Sequence, residues 1–193
     1  MNREEWLHKM SLCLLRRIKG AGFNPPARYR VSCGLPHRGA FSEKNRVTGQ
    51  CWFENVSSDK HVEIFISPTI SGSIEVAATL AHELVHACVG PEAGHRGPFR
   101  KCALKIGLEG PMKATYPGDE LKEFIKGEVS LIGEYPHADL QGEPPQKKQS
   151  SRLLKVICNS EDHDEYIVRM SRTTLEKAKP SCGLCGQEMD EQG

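Results

Sequence analysis

Between Ser71 and Gly90 the apolar residues Ile74, Ala77, Ala78, Ala81, Leu84, Val85 and Cys88 recur at helical spacing. They form one broad stripe, and a helix carrying such a stripe has to bury it against a second layer. Ser71 or Ser73 can cap its start by accepting a bond from an orphan amide. Gly90-Pro91 terminates it. On this helix His82 and His86 stand four residues apart, which puts both rings on one face within reach of a single ion. Glu83 directly follows His82, completing H-E-x-x-H. Two neutral imidazoles hold a divalent metal while leaving positions open. Such an ion lowers the pKa of water toward about 7, and a neighbouring carboxylate can take that water's proton. A lone helical histidine is usually a surface group. Two histidines at this spacing, in a well-patterned and terminated helix, point to a metal.

A catalytic site of this kind needs a third protein ligand. His95, Glu92 and Glu109 are the candidates. His95 lies beyond the Gly90-Pro91 turn, where the chain can reverse toward the helix. Gly94 and Gly97 flank it and permit unusual backbone angles. His95 is therefore favoured over the two glutamates. The metzincin pattern fails, because Val89 and Glu92 occupy its glycine and third-histidine positions.

The rest of the chain reads as a mixture of helices and strands. Trp6, Leu7, Met10, Leu14, Leu15 and Ile18 mark an N-terminal amphipathic helix, stopped at Gly20 and Gly22. "RYRVSC", "CWFENV" and "HVEIFISP" read as strands, the last with Val62, Ile64 and Ile66 on one face. "GPFRKCALKIGL" is a helix opened by Pro98, and "GDELKEFIKGE" a further short one. From Glu134 the chain turns rich in Pro, Gly and charge, with little to bury. Residues 134–150 read as a linker between a domain spanning 1–133 and a small one spanning 151–193. There "RLLKVIC" and "EYIVRM" read as strands and "SRTTLEKAKP" as a helical turn.

No apolar run approaches the roughly 20 residues of a membrane span, and charge interrupts the N-terminus, where a signal peptide would be apolar. A cytoplasmic protein without membrane partners is expected. In a reducing compartment the eight cysteines are packing residues or metal ligands. Cys13, Cys88 and Cys102 fall on apolar helix faces and read as packing, as do Cys33 and Cys51 near strand ends. His8, His37, His61 and His137 read as surface residues.

The stretch "HELVHACVGPEAGHRGPF" resembles the SprT-like metalloprotease family, to which the eukaryotic Spartan proteases belong. That family pairs HExxH with a later histidine in a GH-G-PxF-like segment. "VSCGLPHRGAF", "GQCW", "IFISP" and "KIGLEGPMKATYPG" look like its bacterial and phage members, so the likeness covers most of the chain, tail included. The resemblance implies an α+β zincin-like domain with an HExxH helix and a small sheet, followed by a zinc-ribbon-like β module. It assigns His82, His86 and His95 to a catalytic Zn2+ and Glu83 to the general base. Better-known members cut proteins attached to DNA and are stimulated by nucleic acid.

Cys182 and Cys185 form a C-x-x-C knuckle, which is half of a four-ligand site. SprT-like tails often carry a second C-x-x-C. Here Cys158 is present and the second cysteine is missing. His163 is the best substitute, giving a Cys3His structural zinc site, with Asp162 or Asp164 as oxygen alternatives. The competing reading is a metal-free hairpin. A redox C-x-x-C would need a βαβ context, and a deaminase would need H-x-E. Lys147, Lys148, Arg152, Lys155, Arg169, Arg172, Lys177 and Lys179 could face DNA phosphates or form a solvated surface. Net charge is +1, so no global field favours nucleic acid.

The expected activity is that of a zinc endopeptidase acting on a protein or peptide, with DNA-associated proteins as one substrate class. The rival is a proteolytically silent zinc protein serving as a nucleic-acid or transcription adaptor. Glu83 argues against silence, since holding zinc does not require it. Arg96 and Tyr116 are the side chains considered as further oxyanion donors, and nothing in the sequence selects either.

Overall fold

The computed structural model describes residues 1–42, 44–142 and 153–192. The chain divides into two compact units, Met1–Pro145 and Gln146–Gly193. No helix among the described residues is long and apolar enough to cross a membrane. The architecture is α+β, with three small sheets.

In the first unit, helix α1 (Arg3–Gly20) opens with a capping box. Asn2 Oδ1 accepts from the Glu5 amide, and Glu5 accepts from the Asn2 amide. Its apolar stripe, from Trp6 to Ile18, is fully or nearly fully buried. Strands β1 (Tyr29–Cys33), β2 (Gly49–Trp52) and β3 (Val62–Ile66) form one sheet in the order β1-β3-β2. β1 runs parallel and β2 antiparallel to the central β3. Val62, Ile64 and Ile66 bury the core face of β3, as their alternation requires. The second expected strand differs in extent. β2 begins at Gly49 and ends at Trp52, and its partners on β3 end with Glu63.

Helix α2 (Ser73–Val89) packs on α1 and on the sheet. Its cap is not the expected serine. Gly72 is the N-cap and supplies no side-chain bond. The Ser73 hydroxyl is used elsewhere: it donates to the Glu134 carboxylate and accepts from the Tyr135 amide at 2.8 Å. A short 3-10 turn, Pro91–Ala93, leads to α3 (Pro98–Lys105). Two-residue strands β4 (Leu108–Glu109) and β5 (Tyr116–Pro117) pair as a hairpin, and α4 (Asp119–Ile132) follows. This last helix is longer than its sequence pattern suggested, because Val129 still packs into the core.

The segment after α4 has more to bury than its composition indicated. The Tyr135 ring meets Trp6 edge-on at 5.0 Å between centroids, and Trp6 Nε1 donates to the Gly133 carbonyl at 2.7 Å. The Leu140 amide donates to the Pro68 carbonyl. Residues 134–142 are thus laid against the first unit. Residues 143–150 of the expected linker lie outside the described residues.

In the second unit, β6 (Leu154–Ile157) is the centre of an antiparallel sheet ordered β7-β6-β8, with β7 at Ile167–Met170 and β8 at Asp190–Glu191. Helix α5 (Arg172–Lys177) is capped by Ser171, whose side chain accepts from the Thr174 amide. The core is small: Val156, Cys158, Cys182 and Met189 are buried.

Candidate metal centres

His82 and His86 project from one face of α2 into a cleft of about 910 Å³. His95 reaches the same point from the turn beyond the helix, and three glycines make that turn. Gly90, Gly94 and Gly97 have φ of 83°, 49° and 45°, a region that side-chain-bearing residues rarely enter. His95 Nε2 lies 3.3 Å from His82 Nε2 and 3.2 Å from His86 Nε2. Nitrogens about 2.0–2.1 Å from a tetrahedral zinc lie about 3.3–3.4 Å apart, so this spacing fits such an ion. Glu92 and Glu109 are not in the cluster. The Glu109 carboxylate instead lies against Gly118, where a Cβ would meet its Oε1 at 2.2 Å.

His82 also has a hydrogen-bond partner outside the triad. His82 Nδ1 is 2.8 Å from Thr115 Oγ1. With Nδ1–H donating to that hydroxyl, Nε2 keeps its lone pair for a metal. Phe99 is fully buried behind the site, with its ring 5.0, 4.3 and 5.0 Å from the rings of His82, His86 and His95. Burial pulls His82 down to about 3 and His86 to about 4, with the neighbouring imidazoles adding to both shifts. His95 is lowered too, by burial and then by Lys113. All three rings therefore stay neutral at neutral pH, the form that ligates.

Glu83 lines the same cleft and is 7% exposed. Burial pushes its carboxyl up to about 8. A divalent ion beside the triad would favour the carboxylate and reverse that shift. Its place depends on Gly49. A Cβ there would come within 2.7 Å of Glu83 Oε1 and of Thr79 Cγ2, so β2 can pass this close to α2 only with glycine.

Thr115, Phe99 and Gly49 were not singled out by chemistry in the sequence. Phe99 and Gly49 do fall inside the segments "GHRGPF" and "GQCW" that carry the family resemblance. Thr115 likewise falls inside "KIGLEGPMKATYPG", although a hydroxyl in a loop carries no chemical signal of its own. Neither Arg96 nor Tyr116 lines the cleft, whereas Lys113 does. Burial holds the Cys88 and Cys102 thiols up at about 12 and about 11, in keeping with packing roles. His8, His37, His61 and His137 belong to no metal-ligand group among the described residues.

The second unit gathers Cys158, His163, Cys182 and Cys185, with all four donor atoms within 4.8 Å of one another. Cys158 Sγ is 3.5 Å from Cys185 Sγ, and His163 Nε2 is 3.3 and 3.4 Å from the sulfurs of Cys185 and Cys182. A tetrahedral zinc with three sulfurs and one nitrogen places such donors about 3.5–3.8 Å apart, a few tenths wider. The Leu184 amide donates to Cys182 Sγ, as the knuckle turn allows. His163 Nδ1 is 2.7 Å from the Asp164 carbonyl, which again directs Nε2 to the cluster. The Gln187 amide, and then His163, pull Cys185 down to about 6. The Asp164 carbonyl, and then Cys185, raise His163 to about 9. Asp162 and Asp164 contribute no carboxylate to the group. The cluster is consistent with a zinc-ribbon-like module.

The tail's basic residues are partly neutralised within it. Lys155 pairs with Glu165, Arg172 with Glu191, and Lys179 with Glu188 and Asp190. No ion pair involves Arg169 or Lys177 among the described residues. Lys147, Lys148 and Arg152 lie outside the described residues. The chain therefore carries two candidate metal sites, one in each unit. Compared with protein-family models, curated proteins and solved structures, the chain matches none.

Proposed function

We propose that the protein is a zinc-dependent endopeptidase of SprT-like type, with a catalytic ion at His82, His86 and His95 and a structural ion at Cys158, His163, Cys182 and Cys185. The observation that carries this reading is the convergence of three neutral imidazole nitrogens in a cleft that also holds a buried carboxylate. Three lone pairs aimed at one point repel each other unless a cation sits between them. An ion held there supplies Lewis-acid activation of water and of the scissile carbonyl.

The chain's own groups do the rest. Glu83 takes a proton from the attacking water as its oxygen adds to the carbonyl carbon. The same carboxyl then returns the proton to the leaving amine as the C–N bond breaks. Thr115 holds His82 in the ligating tautomer. Phe99 backs all three rings and keeps water off their rear. DNA-associated proteins are one substrate class for this reading: Lys155, Arg172 and Lys179 face carboxylates of the tail, whereas Arg169 and Lys177 make no ion pair among the described residues.

The test is Glu83→Gln, which preserves shape and removes the base. The variant should keep its zinc and lose cleavage of an unstructured protein by about 10²–10⁴-fold. The silent-adaptor alternative predicts no cleavage by either protein. Equal cleavage by both would assign the base to another residue.

A further inference from the structure

A second cavity, of about 1060 Å³, adjoins the metal cleft. Both cavities are lined by Thr48, Thr79 and Thr115, so they share a wall. The same stripe of α2 serves both: Glu75 and Thr79 line the second cavity, and His82 and His86 follow at helical spacing. The opposite wall is α4, where Lys122, Lys126, Val129 and Ser130 stand on one face.

We infer that this cavity is a substrate side-chain subsite, taking a large apolar residue (aromatic or long aliphatic) two or three positions from the scissile bond. The inference rests on the endopeptidase reading. Ile74 and Ala78 on α2 and Val129 on α4 give it apolar lining on both walls, and a concave site that joins apolar surface to a few polar groups is the usual form of a binding pocket. Its rim does not call for a charged occupant. Lys122 pairs with Asp119 at 3.5 Å and Lys126 with Glu123 at 2.7 Å. The Glu134 carboxylate accepts from Ser73. Glu75 stands at the rim and disfavours an acidic side chain.

The position follows from helix and strand geometry. Ala78 precedes His82 by four residues, about 6 Å along the helix axis. An extended substrate advances about 3.3 Å per residue. For a substrate extended along α2, a side chain over Ala78 belongs to a residue about two positions from one held at the histidines.

The experiment maps cleavage sites of the full-length, zinc-loaded protein in a pool of unstructured peptides. Wild type should favour Phe, Leu or Met over Ala or Ser at one position within three residues of the cut, by about 10–200-fold in kcat/KM. Ser130→Trp changes an exposed residue on the cavity wall and should remove most of that preference while peptides with a small residue there are still cut. Val129→Ala widens the same cavity and should shift the preference toward larger side chains. Zinc content and thermal melting show whether each variant is folded, and either folded variant suffices. Wild-type cleavage without the preference, or a preference unchanged in a folded variant, overturns the subsite alone. Absence of any wild-type cleavage overturns the endopeptidase reading, and the subsite with it.

Discussion

Thr115 lies 33 residues from His82 in the chain and carries no charge, yet its hydroxyl is the hydrogen-bond partner of His82 Nδ1, the ring nitrogen turned away from the triad. A ligating histidine without an outer partner can turn or present its protonated nitrogen. Thr115→Val keeps the side chain's shape and removes the acceptor. Zinc affinity at the first site should fall about 10–100-fold, while the ribbon's ion is held as before. Competition with a chromophoric chelator separates the two ions. A first-site affinity equal to wild type would show that His82 needs no help from this hydroxyl.

At the scale of elements, the turn between α2 and α3 does what neither helix can do. Helix α2 places two of the three candidate ligands, since two is what an i, i+4 pair supplies on one face. The third must come from a chain reversal, and Gly94 and Gly97 make that reversal with φ of 49° and 45°. A Cβ at either position would meet nothing within 4 Å, so the obstacle to substitution is the backbone itself. Gly94→Ala should therefore cost about 1–3 kcal/mol, taken as lost stability or as displacement of His95. Denaturant midpoints with and without zinc distinguish these outcomes. Displacement of His95 shows as a loss of the stabilisation that added zinc gives the wild type. Wild-type stability together with wild-type zinc response would mean that the turn tolerates a side chain.

At the scale of the molecule, the two units differ in the size of their cores. The first has an extended core from Trp6 to Tyr135. Among the described residues the second buries Val156, Cys158, Cys182 and Met189, two of which are proposed ligands. So small a core needs a staple, and metal-binding free energy becomes folding free energy. Wild type should carry two zinc ions per chain, and both His86→Ala and Cys182→Ser should carry one. Cys182→Ser should also lose the dispersed amide signals of residues 153–192 and keep those of the first unit. A tail that stays folded after losing its ion would show that its apolar residues alone suffice.

Much of this was legible in the sequence because it is local. Helical spacing marks α1 and α2, Pro98 opens α3, alternation marks β3, and H-E-x-x-H puts His82 and His86 on one face. The gathering of His95, and of His163 with the three tail cysteines, was also anticipated, from glycines that permit a reversal and from ligand chemistry. What the sequence could not determine depends on partners distant along the chain. The Ser73 hydroxyl looked like a helix cap until Glu134 and Tyr135 claimed it. Tyr135 sits in a stretch of linker composition, and only its packing against Trp6 makes it part of the core. β8 is two acidic residues with no strand pattern, and only its pairing with Val156 and Ile157 defines it. Thr115 and Gly49 act through His82 and Glu83, and no local period relates them. Spacing along one element is a property of the chain, whereas the fit of a hydroxyl or a missing Cβ against a remote side chain exists only once the core has packed.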